Sequence, residues 1–175
     1  MKFIETKIKG VFIVELEKRE DARGFFARSF DVNEFKEKGL KETIVQVNAS
    51  FSLKKGTLRG MHFQNAPFAE TKYIRCTKGA LYDVVIDLRP DSETYKQWFG
   101  IELTDDNHRY LYVPQGFAHG FITLKDDTEV LYLVSEFYTP KAEGGVRYND
   151  PAFNIQWPIP ISEISDKDKI WPDFK

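Results

Sequence analysis

From residue 11 to residue 137 the chain is cut into short apolar or alternating runs, none long enough for a substantial helix. The runs cover residues 11–16, 25–30, 44–53, 57–64, 72–77, 80–88, 98–104, 109–113, 117–124 and 129–137. Turn signals separate them, among them Lys54-Lys55-Gly56, Lys78-Gly79, Asp105-Asp106-Asn107 and Pro114-Gln115-Gly116. Glycine tolerates positive φ and proline presets its own, so such segments reverse the chain. Ten short strands at this spacing predict an all-β fold, a jelly-roll barrel of two antiparallel sheets with a few short helices. The 15 Phe and 8 Tyr favour the same class. Helix is expected only at residues 31–38, with Asp31 as N-cap and Gly39 as terminator, and at residues 165–171. Residues 140–160 read as a loop covering a sheet edge.

The 175 residues fit one domain, 1–175. Lys plus Arg is 25 and Asp plus Glu is 27, a balance that argues against nucleic-acid binding, which needs a basic footprint. No apolar run approaches the roughly 20 residues of a membrane span. A single cysteine, Cys76, forms no internal disulfide, and the start of the chain has no apolar core of a signal peptide. The expectation is a cytoplasmic protein with no nucleic-acid and no membrane partner.

The alternation in residues 45–52 places Val45, Val47, Ala49 and Phe51 on one face and Gln46, Asn48, Ser50 and Ser52 on the other. A solvated strand face usually carries Lys and Glu. This one carries amides and hydroxyls, and the next strand brings Arg59, His62 and Gln64 beside it. That set suits the lining of a ligand cavity in a barrel mouth. Arg59 and His62 fall on opposite faces of a regular strand, so Gly60 between them is a candidate bulge that re-aims one of them. Lys72, Asp83, Asp87, His119 and Tyr132 also interrupt apolar strands, and buried charges are costly unless paired. Taken singly, each is more simply a solvated or packed side chain; their clustering in a few strands favours a network.

No nucleophile elbow and no phosphate loop occurs. His62, His108 and His119 are the only histidines, and Gln64 stands where a second ligand near His62 would be, which disfavours a metal site. What remains is acid–base chemistry: His62 as base, Tyr132 as acid, Lys72 or Arg59 for an oxyanion, a set suited to proton abstraction beside a carbonyl. A metal-dependent β-barrel oxygenase and a non-catalytic sugar-nucleotide binding module are the competing classes.

The motifs resemble the dTDP-4-dehydrorhamnose 3,5-epimerase family, in this order along the chain: Asp21-x-Arg23-Gly24-x-Phe26; Gln46-x-Asn48-x-Ser50-x-Ser52; Gly56-Thr57-Leu58-Arg59-Gly60-Met61-His62-Phe63-Gln64; Lys72 with residues 79–89; Pro114-Gln115-Gly116-Phe117-Ala118-His119-Gly120-Phe121; Tyr132 with Tyr138; and Asn149-Asp150-Pro151 with Ile155-x-Trp157-Pro158. The resemblance implies a cupin-like jelly roll, a homodimer exchanging N-terminal strands, no metal or other cofactor, and epimerisation of a nucleotide-linked 4-keto-6-deoxy sugar. It implies His62 as base with Asp168 behind it, Tyr132 as acid on the other face of the sugar, and Lys72 at the enolate oxygen. Arg59 and His119 resemble sugar-site residues. Arg23, Phe26, Gln46, Asn48 and Tyr138 resemble substrate contacts, with Arg23 and Phe26 coming from the partner chain. Ser165-x-x-Asp168 also has the form of a helix cap, and Asp166 and Asp83 are alternative carboxylates for His62. Arg28, where many members carry an acidic residue, and Leu133-Val134 depart from the family pattern.

Overall fold

The computed structural model describes residues 1–174. Fourteen strands alternate with two short helices in the order β1 (Lys2–Glu5), β2 (Phe12–Glu15), β3 (Arg19–Asp21), β4 (Gly24–Phe26), α1 (Val32–Glu37), β5 (Gln46–Ser52), β6 (Thr57–Gln64), β7 (Lys72–Lys78), β8 (Ala80–Asp87), β9 (Trp98–Thr104), β10 (Tyr110–Val113), β11 (Phe117–Thr123), β12 (Thr128–Val134), β13 (Glu143–Gly145), β14 (Glu163–Ile164) and α2 (Asp166–Lys169). One six-stranded sheet runs β1-β2-β10-β7-β12-β5, and a second runs β13-β6-β11-β8-β9 with β14 beside β6. All pairings are antiparallel except β14 with β6. The all-β, jelly-roll reading holds. The run at 25–30 shortens to β4, because only Arg19–Phe26, Glu20–Phe25 and Asp21–Gly24 pair in the β3–β4 ribbon.

Between the sheets lies an apolar layer that includes Ile74, Cys76, Leu81, Val85, Leu111, Phe121 and Val130. Each fully buried aliphatic side chain there contributes about 1.5–3 kcal/mol relative to exposure. Two further layers cover the outer faces. Helix α1, capped by the Asp31 carboxylate at Asn33 and Glu34 N–H, sets Phe35 against Tyr73, Tyr110 and Tyr112. On the other sheet, Val146, Phe153 and Trp157 from the segment after β13 pack on Met61, Val84 and Ile86.

Asp87, at the end of β8, is fully buried. Burial alone would raise its carboxyl, but hydrogen bonds from Arg89, Ser92 and Thr94 overcome that and hold it at about 2. Burial raises the Cys76 thiol to about 11, so it behaves as an inert core residue. Among the described residues no helix is long and apolar enough to cross a membrane.

Candidate active site

Strand β5 turns Gln46, Asn48, Ser50 and Ser52 inward and leaves Val47 and Phe51 exposed on its outer face. Its register with β12 sets Asn48 opposite Tyr132 and Gln46 opposite Val134, while Lys72 of β7 flanks Val134 on the other side. These residues therefore share the inner face of one sheet, and the polar side of β5 looks into the molecule.

On the facing sheet, β6 pairs with β11 through His62–His119 and Arg59–Phe121. Two residues of β6, Gly60 and Met61, oppose the single Gly120 of β11, so the strand bulges. The bulge puts Met61 into the outer apolar layer and lets Arg59 and His62 both line the interior cavity. Gly60 has φ +135, and a Cβ on it would lie 2.5 Å from the Gly120 Cα. Only glycine fits there without moving backbone.

The outer edge of β6 is closed by the last part of the chain. β14 pairs with Thr57 and Leu58, β13 pairs with His62 through Gln64, and Met61 and Val146 exchange backbone hydrogen bonds. Between these pairings stands α2. The Ser165 hydroxyl caps it at the Asp168 N–H, as the capping pattern predicts. The same turn aims the Asp168 carboxylate at β6: Oδ1 lies 2.6 Å from His62 Nε2, and Oδ2 accepts the Gly60 N–H at 3.3 Å. Capping and pairing with His62 thus coexist in one residue. Asp166 is exposed and pairs with Lys169, and Asp83 is buried 2.6 Å from His119 Nε2. Of the three candidate carboxylates, Asp168 is the one on His62.

Burial pushes the Asp168 carboxyl up, but its hydrogen bond and charge interaction with His62 and the Gly60 N–H hold it below the usual range. An ionised carboxylate only accepts, so His62 Nε2 carries the proton and Nδ1 is left as the basic lone pair. Burial raises the Tyr132 phenol, the nearby Glu70 adds to this, and Arg59 opposes it. The phenol is therefore protonated at neutral pH. Lys72 Nζ is 3.2 Å from Glu70.

Two cavities of about 580 and 420 Å³ adjoin at this point. His62, Lys72 and Tyr132 line both. Arg59, His119 and Asp168 line the first only; Gln46, Asn48 and Tyr138 line the second only. The buried Ser50 Oγ, in the first cavity, has no partner and is a polar group available to a ligand. Arg59 is steadied by Ser52 Oγ and the Phe51 carbonyl. Gln64 is not a free lining group: its amide binds the Phe68 and Phe137 carbonyls and the Thr139 N–H, pinning the loop that carries Tyr138. Arg23 and Phe26 line neither cavity; they lie exposed on the β3–β4 ribbon, Arg23 paired with Asp21.

The sequence reading missed Glu70, Glu143 and Lys167. Glu143 bonds the Tyr138 hydroxyl at 3.1 Å and pairs with Lys167, tying the two cavity rims together. Among the described residues no three His, Cys, Asp or Glu side chains gather as a metal cage. Neighbouring titratable groups that can take and give protons around one cavity suit carbon-acid chemistry.

A family model for dTDP-4-dehydrorhamnose 3,5-epimerase matches residues 5–175. The chain belongs to that family. The dTDP-4-dehydrorhamnose 3,5-epimerase of Salmonella typhimurium is 44% identical, over 97% of this chain and 93% of its own. A solved Bacillus anthracis epimerase with TDP and PPi bound is 46% identical and superposes with a TM-score of 0.95, covering 99% of each chain. A Legionella pneumophila family member in complex with dTDP-4-keto-L-rhamnose is 36% identical, with a TM-score of 0.89 over 95% of this chain and 89% of that one. The two solved relatives thus share this fold over nearly the whole of the chain.

Proposed function

We propose that this protein is an isomerase that inverts carbons 3 and 5 of a dTDP-4-keto-6-deoxyhexose. The observation that carries the reading is the wall shared by the two cavities, where His62, Lys72 and Tyr132 meet, with Asp168 behind His62. The hexose sits at that wall. His62 Nδ1 removes the proton from carbon beside the ketone, and the C–H electron pair moves into the enolate. The Lys72 ammonium offsets the charge that develops on the ketone oxygen. Asp168 stabilises the imidazolium and fixes the ring tautomer. Tyr132 then gives its phenolic proton to the opposite face, and exchange with solvent returns both groups to their starting states.

Arg59 and His119 hold the sugar, and Gln46, Asn48 and Tyr138 hold the nucleotide. Arg23 and Phe26 reach the site of a second copy: the β3–β4 ribbon belongs to neither large sheet and is exposed along its length. The apolar outer face of β5, with Val47 and Phe51, supports a homodimer. The lone, unpaired Cys76 fits work in the cytoplasm.

The deciding assay is incubation with dTDP-4-keto-6-deoxyglucose in heavy water. Deuterium at carbons 3 and 5 is expected. Label at carbon 3 alone makes the protein a 3-epimerase, the name carried by a 39% identical Streptomyces niveus relative. Absence of label with every nucleotide 4-keto sugar tried removes the enzymatic reading.

A further inference from the structure

Trp171 lines neither cavity, yet its indole stands against the imidazole of His62, edge to face, with ring centroids 6.4 Å apart. Its place is set by Gly145. In the β13–β6 register Gly145 lies directly opposite His62, so a side chain at 145 would project on the same face as the imidazole. A Cβ built there falls 2.3 Å from the indole Cε2 and 2.6 Å from Cδ2 and Nε1. The indole therefore occupies the space that a side chain at position 145 would take. The indole N–H is buried without a partner, so no hydrogen bond explains its position. Lys167, paired with Glu143 on β13, lies 5.8 Å from the ring centroid and bounds it on the α2 side.

Helix α2 has only four residues, too few to hold a carboxylate in place by its own stability. Asp168 needs lateral support if it is to stay on His62. We infer that Trp171, seated on Gly145, is a positioning residue that locks α2 against β6 and so holds the Asp168–His62 pair in register. This rests on the proposed epimerase reading. The indole touches the base on one flank while Asp168 holds its Nε2, and together they leave the imidazole a single orientation toward the sugar.

The test measures kcat, KM and deuterium incorporation for Trp171→Ala, Trp171→Phe and Gly145→Ala, with melting temperatures recorded alongside. Trp171→Ala is expected to lower kcat about 10- to 100-fold while KM moves less than about threefold, the mark of misplaced chemistry rather than lost binding. Gly145→Ala expels the indole from the opposite side and lowers kcat in the same way. Trp171→Phe, which keeps a flat ring, recovers most of the rate. In an Asp168→Asn background the further loss from Trp171→Ala shrinks to within about twofold, since both changes remove one interaction.

A Trp171→Ala enzyme with kcat within about twofold of wild type overturns the inference. So does a rate loss that multiplies fully onto that of Asp168→Asn, because indole and carboxylate then act separately. Should Trp171→Ala fail to fold, Trp171→Phe and Gly145→Ala give the same comparison. A wild-type protein that incorporates no label overturns the epimerase reading instead, so the two failures are distinct.

Discussion

His62 on β6 and His119 on β11 are register partners, and each presents Nε2 to its own aspartate at 2.6 Å, His62 to Asp168 and His119 to Asp83. The two pairs are alike in geometry but not in surroundings. Asp168 also accepts a backbone N–H, whereas the second oxygen of Asp83 is buried without a partner. The His62 side chain is 32% exposed and borders both cavities; that of His119 is 9% exposed and borders one. This difference supports the proposed division of roles, in which the more accessible imidazole takes the proton and His119 is a fixed contact on the sugar.

Replacing His62 by Ala is expected to abolish solvent exchange at both carbons, a loss of at least about 10²-fold. Asp168→Asn leaves the ring without an ionised acceptor and lowers kcat by a similar order. Calorimetric titration with dTDP checks the specificity of both effects: affinity for the nucleotide should stay within a few-fold of wild type.

Tyr132→Phe separates the two proton steps. The variant keeps its base, so it should still exchange substrate hydrogen for deuterium while losing most of its inversion, read by proton NMR of recovered sugar. Because burial raises the phenol above its ordinary value, Tyr132 stays protonated across neutral pH. The rate should show no basic limb below about pH 9 from this residue. Full inversion by the variant would mean that another group returns the proton.

Mixed dimers test the proposed exchange of the ribbon between two copies. His62→Ala supplies an intact ribbon and a dead site; Arg23→Ala supplies an intact site and a weakened ribbon. Co-refolded, they should recover part of the wild-type activity that neither shows alone. Phe51→Glu, on the exposed face of β5, should shift the protein toward monomer in sedimentation and lower activity with it.

Stability has its own acid dependence. The folded carboxyl of Asp87 lies at about 2, below its unfolded value, so its stabilisation is present above about pH 4 and disappears as pH falls through 2. At neutral pH it amounts to about 2 kcal/mol. Asp87→Asn should therefore destabilise the protein at pH 7 in urea titration, and the difference from wild type should shrink toward pH 2.

Much of this was legible because the chemistry breaks patterns that packing would keep. The amides and hydroxyls of β5 stood out against the usual Lys and Glu of a solvated strand. Gly60 marked the bulge that reconciles Arg59 with His62. What could not be read was short and edge-bound. β13 is Glu143-Gly144-Gly145 and β14 is two residues long, so neither carries an apolar period; β3 is entirely charged. Glu70 precedes its strand, and Glu143 and Lys167 sit on polar segments whose partners are set by tertiary pairing. Sequence spacing also left Asp83, Asp166 and Asp168 open for His62, and only the seating of α2 on the edge of β6 separates them.

That seating joins positions 106 residues apart. The strands that pair with β6, namely β11, β13 and β14, all follow it in the chain, so during synthesis His62 emerges well before the sheet that holds it. The carboxylate that orients it arrives only with the final turn of helix. On the proposed mechanism a nascent chain lacks an oriented base until α2 is seated on β6, which couples the reaction to completion of the fold.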